Sequence, residues 1–132
     1  MDIVVDTSVV IAVIANEPVK EALVELTTGA DLIAPHSVHW EIGNALSAML
    51  RRERIKIEQA IQAVQIYQQI PIRFVDVELE ETLKIAAALG IYAYDAYLIR
   101  CAVKYKSPLI SLDRGLIGAA KEMQARVIEV VK

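Results

Sequence analysis

The first fifteen residues place one acid between two apolar runs, and this constrains the fold more than any other stretch. Residues 3–5 (Ile-Val-Val) are β-branched, which is typical of a strand buried on both faces. The run ends at Asp6, and Thr7 and Ser8 are expected to cap a helix over residues 9–15. In open α/β sheets, ligands bind at the carboxyl ends of strands, which is where Asp6 would stand.

The remaining chain alternates short β-branched runs with amphipathic helical patterns. Such alternation predicts an α/β fold with a mainly parallel central sheet flanked by helices, an α/β/α sandwich. Neither a repeat nor a linker interrupts the pattern, so residues 1–132 are expected to form one domain. The further predicted strands are 31–34, 72–75, 109–112 and 127–131.

The composition narrows the class of protein. Hydrophobic residues make up 55% of the chain and the mean hydropathy is +0.40, which predicts a homo-oligomer or a partner groove. A net charge of −3 argues against a generally basic nucleic-acid binder but allows an enzyme that contacts nucleic acid at one site. Cys101 is alone, and the apolar N-terminal stretch is too short to span a bilayer. A cytoplasmic protein with no membrane association is expected.

Four carboxylates are embedded in otherwise apolar sequence: Asp6, Glu41, Asp95 and Asp113. Asp6 and Asp113 both follow predicted strands, whose carboxyl ends meet at one edge of a parallel sheet. Glu41 and Asp95 lie on predicted helices that could flank that edge. Each acid alone would be explained as a helix cap or a solvated surface group.

Together, however, the four acids favour a metal site. Carboxylates gathered at one place repel one another and need protons or a cation between them. Oxygen ligands select a hard ion, Mg²⁺ or Mn²⁺. Such an ion can activate water and neutralise the charge of a phosphodiester, so the acids indicate metal-dependent phosphodiester hydrolysis.

Four motifs resemble one known family. In chain order they are VVDTSVV at 4–10, WEIGNAL at 40–46, YDAYLI at 94–99 and LISLDR at 109–114. With this order and spacing, the chain resembles the PIN-domain ribonucleases, and most closely the short VapC-like toxins of type II toxin–antitoxin pairs. The resemblance implies endonucleolytic cleavage of RNA with Mg²⁺ or Mn²⁺, a homodimer, and a cognate antitoxin that blocks the site.

The resemblance also assigns residues. The catalytic, metal-binding acids of the family fall on Asp6, Glu41, Asp95 and Asp113. Its hydroxyl after the first acid falls on Thr7 and Ser8, and its helix asparagine falls on Asn44. Many relatives have Thr where this chain has Ser111, which keeps the hydroxyl. Many also have a second acid beyond the last aspartate, where this chain has Gly115 and Leu116, so a second tightly held metal is not expected.

Several residues near the four acids in sequence allow both a structural and a functional interpretation. Thr7 and Ser8 suit capping, which is compatible with contacting a phosphate or a water. Asn44 would orient Glu41 or a water, or else bond to backbone, while Arg114 is the best candidate to contact phosphate. His36 and His39 are expected to be structural or exposed. The tyrosines at 92, 94 and 97 are expected to pack rather than to recognise a ligand.

Other functions fit parts of the sequence. A PIN nuclease in RNA processing or decay, or one acting on single-stranded DNA, would carry the same acids. A non-catalytic binding module would use them to dock a basic partner segment. A receiver-like phosphoacceptor domain also has acids at strand ends, but Lys104 and Lys121 lie in helical patterns rather than after a strand, where that class needs its lysine.

Overall fold

A computed structural model describes residues 1–131 and contains a parallel five-stranded sheet in the order β3-β2-β1-β4-β5. In β1, Val4 lies opposite Ile33 of β2 on one side and Leu109 of β4 on the other. The predicted parallel sheet is confirmed. The strands are β1 (Asp2–Val5), β2 (Asp31–Pro35), β3 (Ile72–Val75), β4 (Leu109–Ile110) and β5 (Val127–Ile128).

Seven helices within the described residues flank this sheet and complete an α/β/α fold. On one side α1 packs against α2, α3 and α4, while α6 lies across β1, β2 and β4 with α5 and α7 beside it. The helices are α1 (Thr7–Ile14), α2 (Lys20–Thr27), α3 (Ser37–Arg51), α4 (Ile57–Gln69), α5 (Leu79–Leu89), α6 (Ala93–Lys104) and α7 (Arg114–Glu122).

The central strand β1 is the most buried part of the sheet. Ile3, Val4 and Val5 are each at most 1% exposed, because helices cover both faces of a parallel sheet. The strand order reverses beside β1, since β2 and β3 follow on one side and β4 and β5 on the other. The carboxyl ends of β1 and β4 therefore form the crevice in which sheets of this kind bind ligands.

The predicted cap of the first helix is wrong by one residue. Asp6 itself is the N-cap of α1, and its Oδ1 accepts a hydrogen bond from Val9 N at 3.1 Å. The backbone stays extended through Asp6, so the helix begins at Thr7 rather than at Val9. Asp113 caps α7 in the same way, accepting from Gly115 N and Leu116 N. Neither Thr7 nor Ser8 is needed as a cap.

No single helix within residues 1–131 combines the length and hydropathy needed to cross a membrane. Helices α5 and α6 reach that length and composition only when taken together across a 113° bend.

Candidate active site

Asp6 lies at the centre of a hydrogen-bonded network in the crevice between β1 and β4. Its side chain is buried at 4% exposure. Oδ1 accepts from Ser8 Oγ at 2.7 Å as well as from Val9 N, and Oδ2 accepts from Ser111 Oγ at 2.7 Å. Burial raises the pKa of Asp6, and these three donors oppose the rise without cancelling it.

The two serines join the first acidic junction to the last one. Ser111 Oγ accepts from Asp113 N at 2.9 Å while it donates to Asp6. Ser8 Oγ accepts from Leu112 N at 3.0 Å while it also donates to Asp6. Two segments more than 100 residues apart in sequence are thus fixed to one carboxylate.

Glu41 extends the acidic group from α3. Burial raises its pKa first, the charges of Asp6 and Asp95 raise it further, and the nearby Thr7 hydroxyl lowers it. That hydroxyl and the carboxylate do not meet in a hydrogen bond of normal geometry, because Thr7 Oγ1 and Glu41 Oε2 are both buried without a partner. A buried carboxylate oxygen without a donor is costly, so Glu41 has the environment of a cation ligand.

Asp95 approaches the same place from the first turn of α6. Burial raises its pKa, and the charge of Asp113 raises it further. Asp113 is exposed and uses Oδ1 to cap α7. Each of the four predicted acids is therefore electrostatically coupled to at least one other.

The donor set fits a hard divalent ion in chemistry, since it contains carboxylate oxygens and no thiolate or imidazole. Within residues 1–131, no three potential ligands stand close enough together to hold an ion as they are placed. The unpartnered oxygen of Glu41 is the one that the coordination of an ion would satisfy.

Two further residues predicted for the site, Asn44 and Arg114, are exposed on the surface. Asn44 is exposed on α3, and among the described residues no hydrogen bond joins its side chain to Glu41. Arg114 is exposed at the first position of α7. It lines a surface groove of about 440 Å³ in which Lys121 is paired with Glu129 at 2.7 Å, so Arg114 supplies the positive charge that a polyanion passing Asp113 would meet.

The sequence patterns did not predict a second cleft, here called the aromatic cleft, which lies at the carboxyl ends of β2 and β3. It has a volume of about 320 Å³. The tyrosines expected to pack are exposed in part, with Tyr94 at 58% and Tyr92 at 89%. The available sequence signal was the group of tyrosines at 92, 94 and 97 around Asp95. The cleft is lined mainly by His36, Ser37, Val75, Asp76, Tyr94 and Tyr97.

Comparisons with known proteins find one matching family model and several solved structures of similar fold. The family model described as PIN domain matches residues 3–122. PAE2754 from Pyrobaculum aerophilum has a similar structure, with a TM-score of 0.73 and 22% identity over 96% of this chain and 92% of that one. No curated protein sequence matches significantly.

Two further solved structures share the fold over nearly their whole length. VapBC2 from Rickettsia felis, solved with a DNA fragment from its promoter, has a TM-score of 0.68 and 14% identity over 97% of this chain and 98% of that one. FitAcB from Neisseria gonorrhoeae has a TM-score of 0.66 and 19% identity over 96% of each chain.

Proposed function

The chain belongs to the PIN-domain family, and from this premise we propose that it is a metal-dependent endoribonuclease and the toxin of a toxin–antitoxin pair. The observation that carries the proposal is the group of four coupled acids at the reversal of strand order, with one carboxylate oxygen of Glu41 buried and unpartnered. We further propose that residues 1–132 form this one domain.

The acids would bind the metal ion, and the residues around them would hold the acids in place. Asp6, Glu41, Asp95 and Asp113 would hold Mg²⁺ or Mn²⁺, which supplies the positive charge that a phosphodiester needs as its negative charge grows during hydrolysis. Ser8, Ser111 and Val9 N hold Asp6 in one orientation, so this ligand is preorganised. The Thr7 hydroxyl, already next to Glu41, would favour the ionised form of that carboxylate against the effect of burial.

Two exposed side chains would position the substrate. Arg114 would bind a phosphate beside the cleaved bond, because it stands at the amino end of α7 next to Asp113. Asn44 would orient a water or a substrate group from α3, one turn beyond Glu41.

We assign an antitoxin to an apolar groove between α1, α3 and α4. The groove has a volume of about 560 Å³ and would accept a partner helix through its apolar face. The similarity in fold to VapBC2 supports this partner, as does the motif resemblance to VapC-like toxins. A cytoplasmic homodimer is part of the same proposal. The apolar lining includes Ile11, Ile14, Leu46, Met49, Ile55 and Ile66.

The test is cleavage of a mixed panel of structured and single-stranded RNA with Mn²⁺ or Mg²⁺. We expect Asp6→Asn and Asp95→Asn to lose more than about 100-fold in rate, since even indirect support of a metal ligand is worth 10- to 100-fold. Asp31→Asn is the matched control, because Asp31 is an exposed acid at the opposite end of the sheet.

The outcomes separate the alternatives. Equal cleavage by wild type and both site variants, or cleavage that survives EDTA, would contradict the proposal and indicate a contaminating nuclease. Metal-dependent cleavage of single-stranded DNA but not RNA would favour the DNA-acting alternative. Growth arrest on expression, relieved by a neighbouring gene product, would distinguish a toxin from an RNA-processing nuclease.

A further inference from the structure

We propose that the aromatic cleft binds one unpaired nucleobase of the RNA, next to the phosphate that is cleaved. This inference rests on the proposed ribonuclease function and adds to it a subsite for single-stranded substrate. Unpaired bases are recognised in proteins by stacking on aromatic rings combined with hydrogen bonds to their edges. The cleft offers both kinds of contact.

Two helices, α3 and α6, each line part of the cleft and carry one acid of the active site. Ser37 precedes Glu41 by four residues on α3, so the two side chains lie on the same face one turn apart. Tyr94 directly precedes Asp95 on α6. A nucleotide whose phosphate lies at the acids would therefore bring an adjacent base to the cleft.

The aromatic wall is built from two tyrosines. Tyr94 and Tyr97 meet edge to face, with ring centroids 6.2 Å apart and an angle of 70° between the rings. Tyr97 is half-buried and supports Tyr94, which stays 58% exposed. A supported and exposed ring is a stacking platform that requires little reordering when a base binds.

The polar wall has one unsatisfied group. Ser37 Oγ is buried and has no hydrogen-bond partner among the described residues. Asp76 Oδ1 pairs with His36 Nε2 at 3.0 Å across the rim. The Asp76 carbonyl accepts from Lys104 Nζ at 3.2 Å and from Tyr105 Oη at 2.8 Å, which fixes this rim in place.

Size and hydrogen bonding favour a base over other parts of the RNA. A cleft of about 320 Å³ can hold a planar base but not a duplex. The carboxylate of Asp76 can accept a hydrogen bond from an amino or imino group of a base. The cleft therefore offers both a ring to stack on and an acceptor for the edge of a base.

The first experiment combines variants with abasic substitutions in a short single-stranded RNA. Removing the base at one position should slow wild-type cleavage about tenfold, in keeping with the usual strength of base stacking. Tyr94→Ala should be slower on the complete RNA and insensitive to that abasic position. Tyr94→Phe should keep the sensitivity to the abasic position, because the ring is retained, whereas Tyr92→Ala should behave as wild type, because that ring lies outside the cleft.

The second experiment measures binding without cleavage, in EDTA, using RNA that carries the fluorescent base 2-aminopurine at single positions. Quenching at one position, lost in Tyr94→Ala and weakened several-fold in Ser37→Ala, is the expected result. Ser37→Ala should not lower the melting temperature, because its hydroxyl makes no hydrogen bond to lose.

The two experiments separate this proposal from the function on which it rests. Cleavage without sensitivity to any abasic position would overturn the base subsite and leave the nuclease standing. Binding that depends on Tyr94, with no metal-dependent cleavage of any RNA, would support the subsite and overturn the nuclease. Neither binding nor cleavage would overturn both.

Discussion

The two halves of the sheet edge differ in how completely their polar groups are satisfied. Around β1 and β4, Asp6 accepts three hydrogen bonds, and Ser8 and Ser111 each both donate and accept. At the amino-terminal ends of α1 and α3, three side-chain oxygens are buried without hydrogen-bond partners among the described residues: Thr7 Oγ1, Ser37 Oγ and Glu41 Oε2. In the first half the protein's own groups satisfy the polar side chains. In the second half buried polar atoms lack hydrogen bonds, as expected where ligands bind.

Because of this contrast, similar substitutions in the two halves should change the stability of the fold by different amounts. Removing a hydroxyl from the satisfied half should destabilise the fold, because it leaves a buried carboxylate without its donor. Removing one from the unsatisfied half should leave the stability nearly unchanged and affect binding. Measurements of unfolding can therefore test the assignment of each half independently of any activity.

The largest effect on stability is expected for Ser111→Ala. The change removes the donor to Asp6 Oδ2 and the acceptor for Asp113 N, so the free energy of unfolding should fall by about 2–4 kcal/mol. Urea unfolding measures the loss. Ser107→Ala is the control, since Ser107 is also buried but donates only to the neighbouring Tyr105 carbonyl. An equal loss in both variants would contradict the special role of the network around Asp6.

Much of the satisfied half was predictable from sequence. Strands in a parallel sheet end at a common edge, so the acids after the first and fourth predicted strands could be neighbours, and the strand order places them side by side. The serine bridges were not predictable, because nothing local in the chain relates Ser8 to Leu112 or Ser111 to Asp6. The prediction of the α1 cap was wrong because Asp, Ser and Thr are all good N-caps, and the backbone, which stays extended through Asp6, decides between them.

The unsatisfied half was less predictable. Periodicity placed Glu41 and Asp95 on helices, but the face that each helix presents depends on how it packs against its neighbours. The exposure of Tyr94 shows this limit, because its apolar surroundings in sequence favoured a packed ring. Ser37 gave no signal of an unpartnered hydroxyl, which only the surrounding packing determines.

A smaller effect is expected on the pH dependence of stability without metal. The pKa values of Glu41 and Asp95 are raised above their ordinary 4.5 and 3.8, so the folded state binds more protons than the unfolded state. Stability should then fall as pH rises above about 4.5 in EDTA, by about 1 kcal/mol or less after solvent screening. Urea unfolding across this range measures the slope.

The control for this slope is Glu41→Gln, which should flatten it, and saturating Mn²⁺ should restore stability to wild type at pH 7.5 but not to the variant. Glu78 does not interfere, because Arg100 holds its pKa at about 2 and its contribution is lost only as pH falls below 4.5. A wild-type stability that rises as pH increases above 4.5 would contradict the raised pKa values of Glu41 and Asp95, which burial causes first and the neighbouring acids increase.

The smallest change in stability is expected for Thr7→Val, which replaces an unpartnered buried hydroxyl with a methyl group of similar size. The free energy of unfolding should stay within about 0.5 kcal/mol of wild type, because no hydrogen bond is lost. Thr82→Val is the matched control: Thr82 is fully buried and donates to the Glu78 carbonyl at 2.8 Å, so its loss should cost about 1 kcal/mol.

The same variant should weaken Mn²⁺ binding by about tenfold, because the Thr7 hydroxyl lies beside Glu41 and a polar neighbour of a metal ligand is typically worth that much in affinity. Calorimetric titration of Thr7→Val and Thr82→Val with Mn²⁺ measures the difference. A loss of stability in Thr7→Val as large as in Thr82→Val, with unchanged Mn²⁺ affinity, would assign Thr7 to the satisfied half and leave only Ser37 and Glu41 in the unsatisfied half.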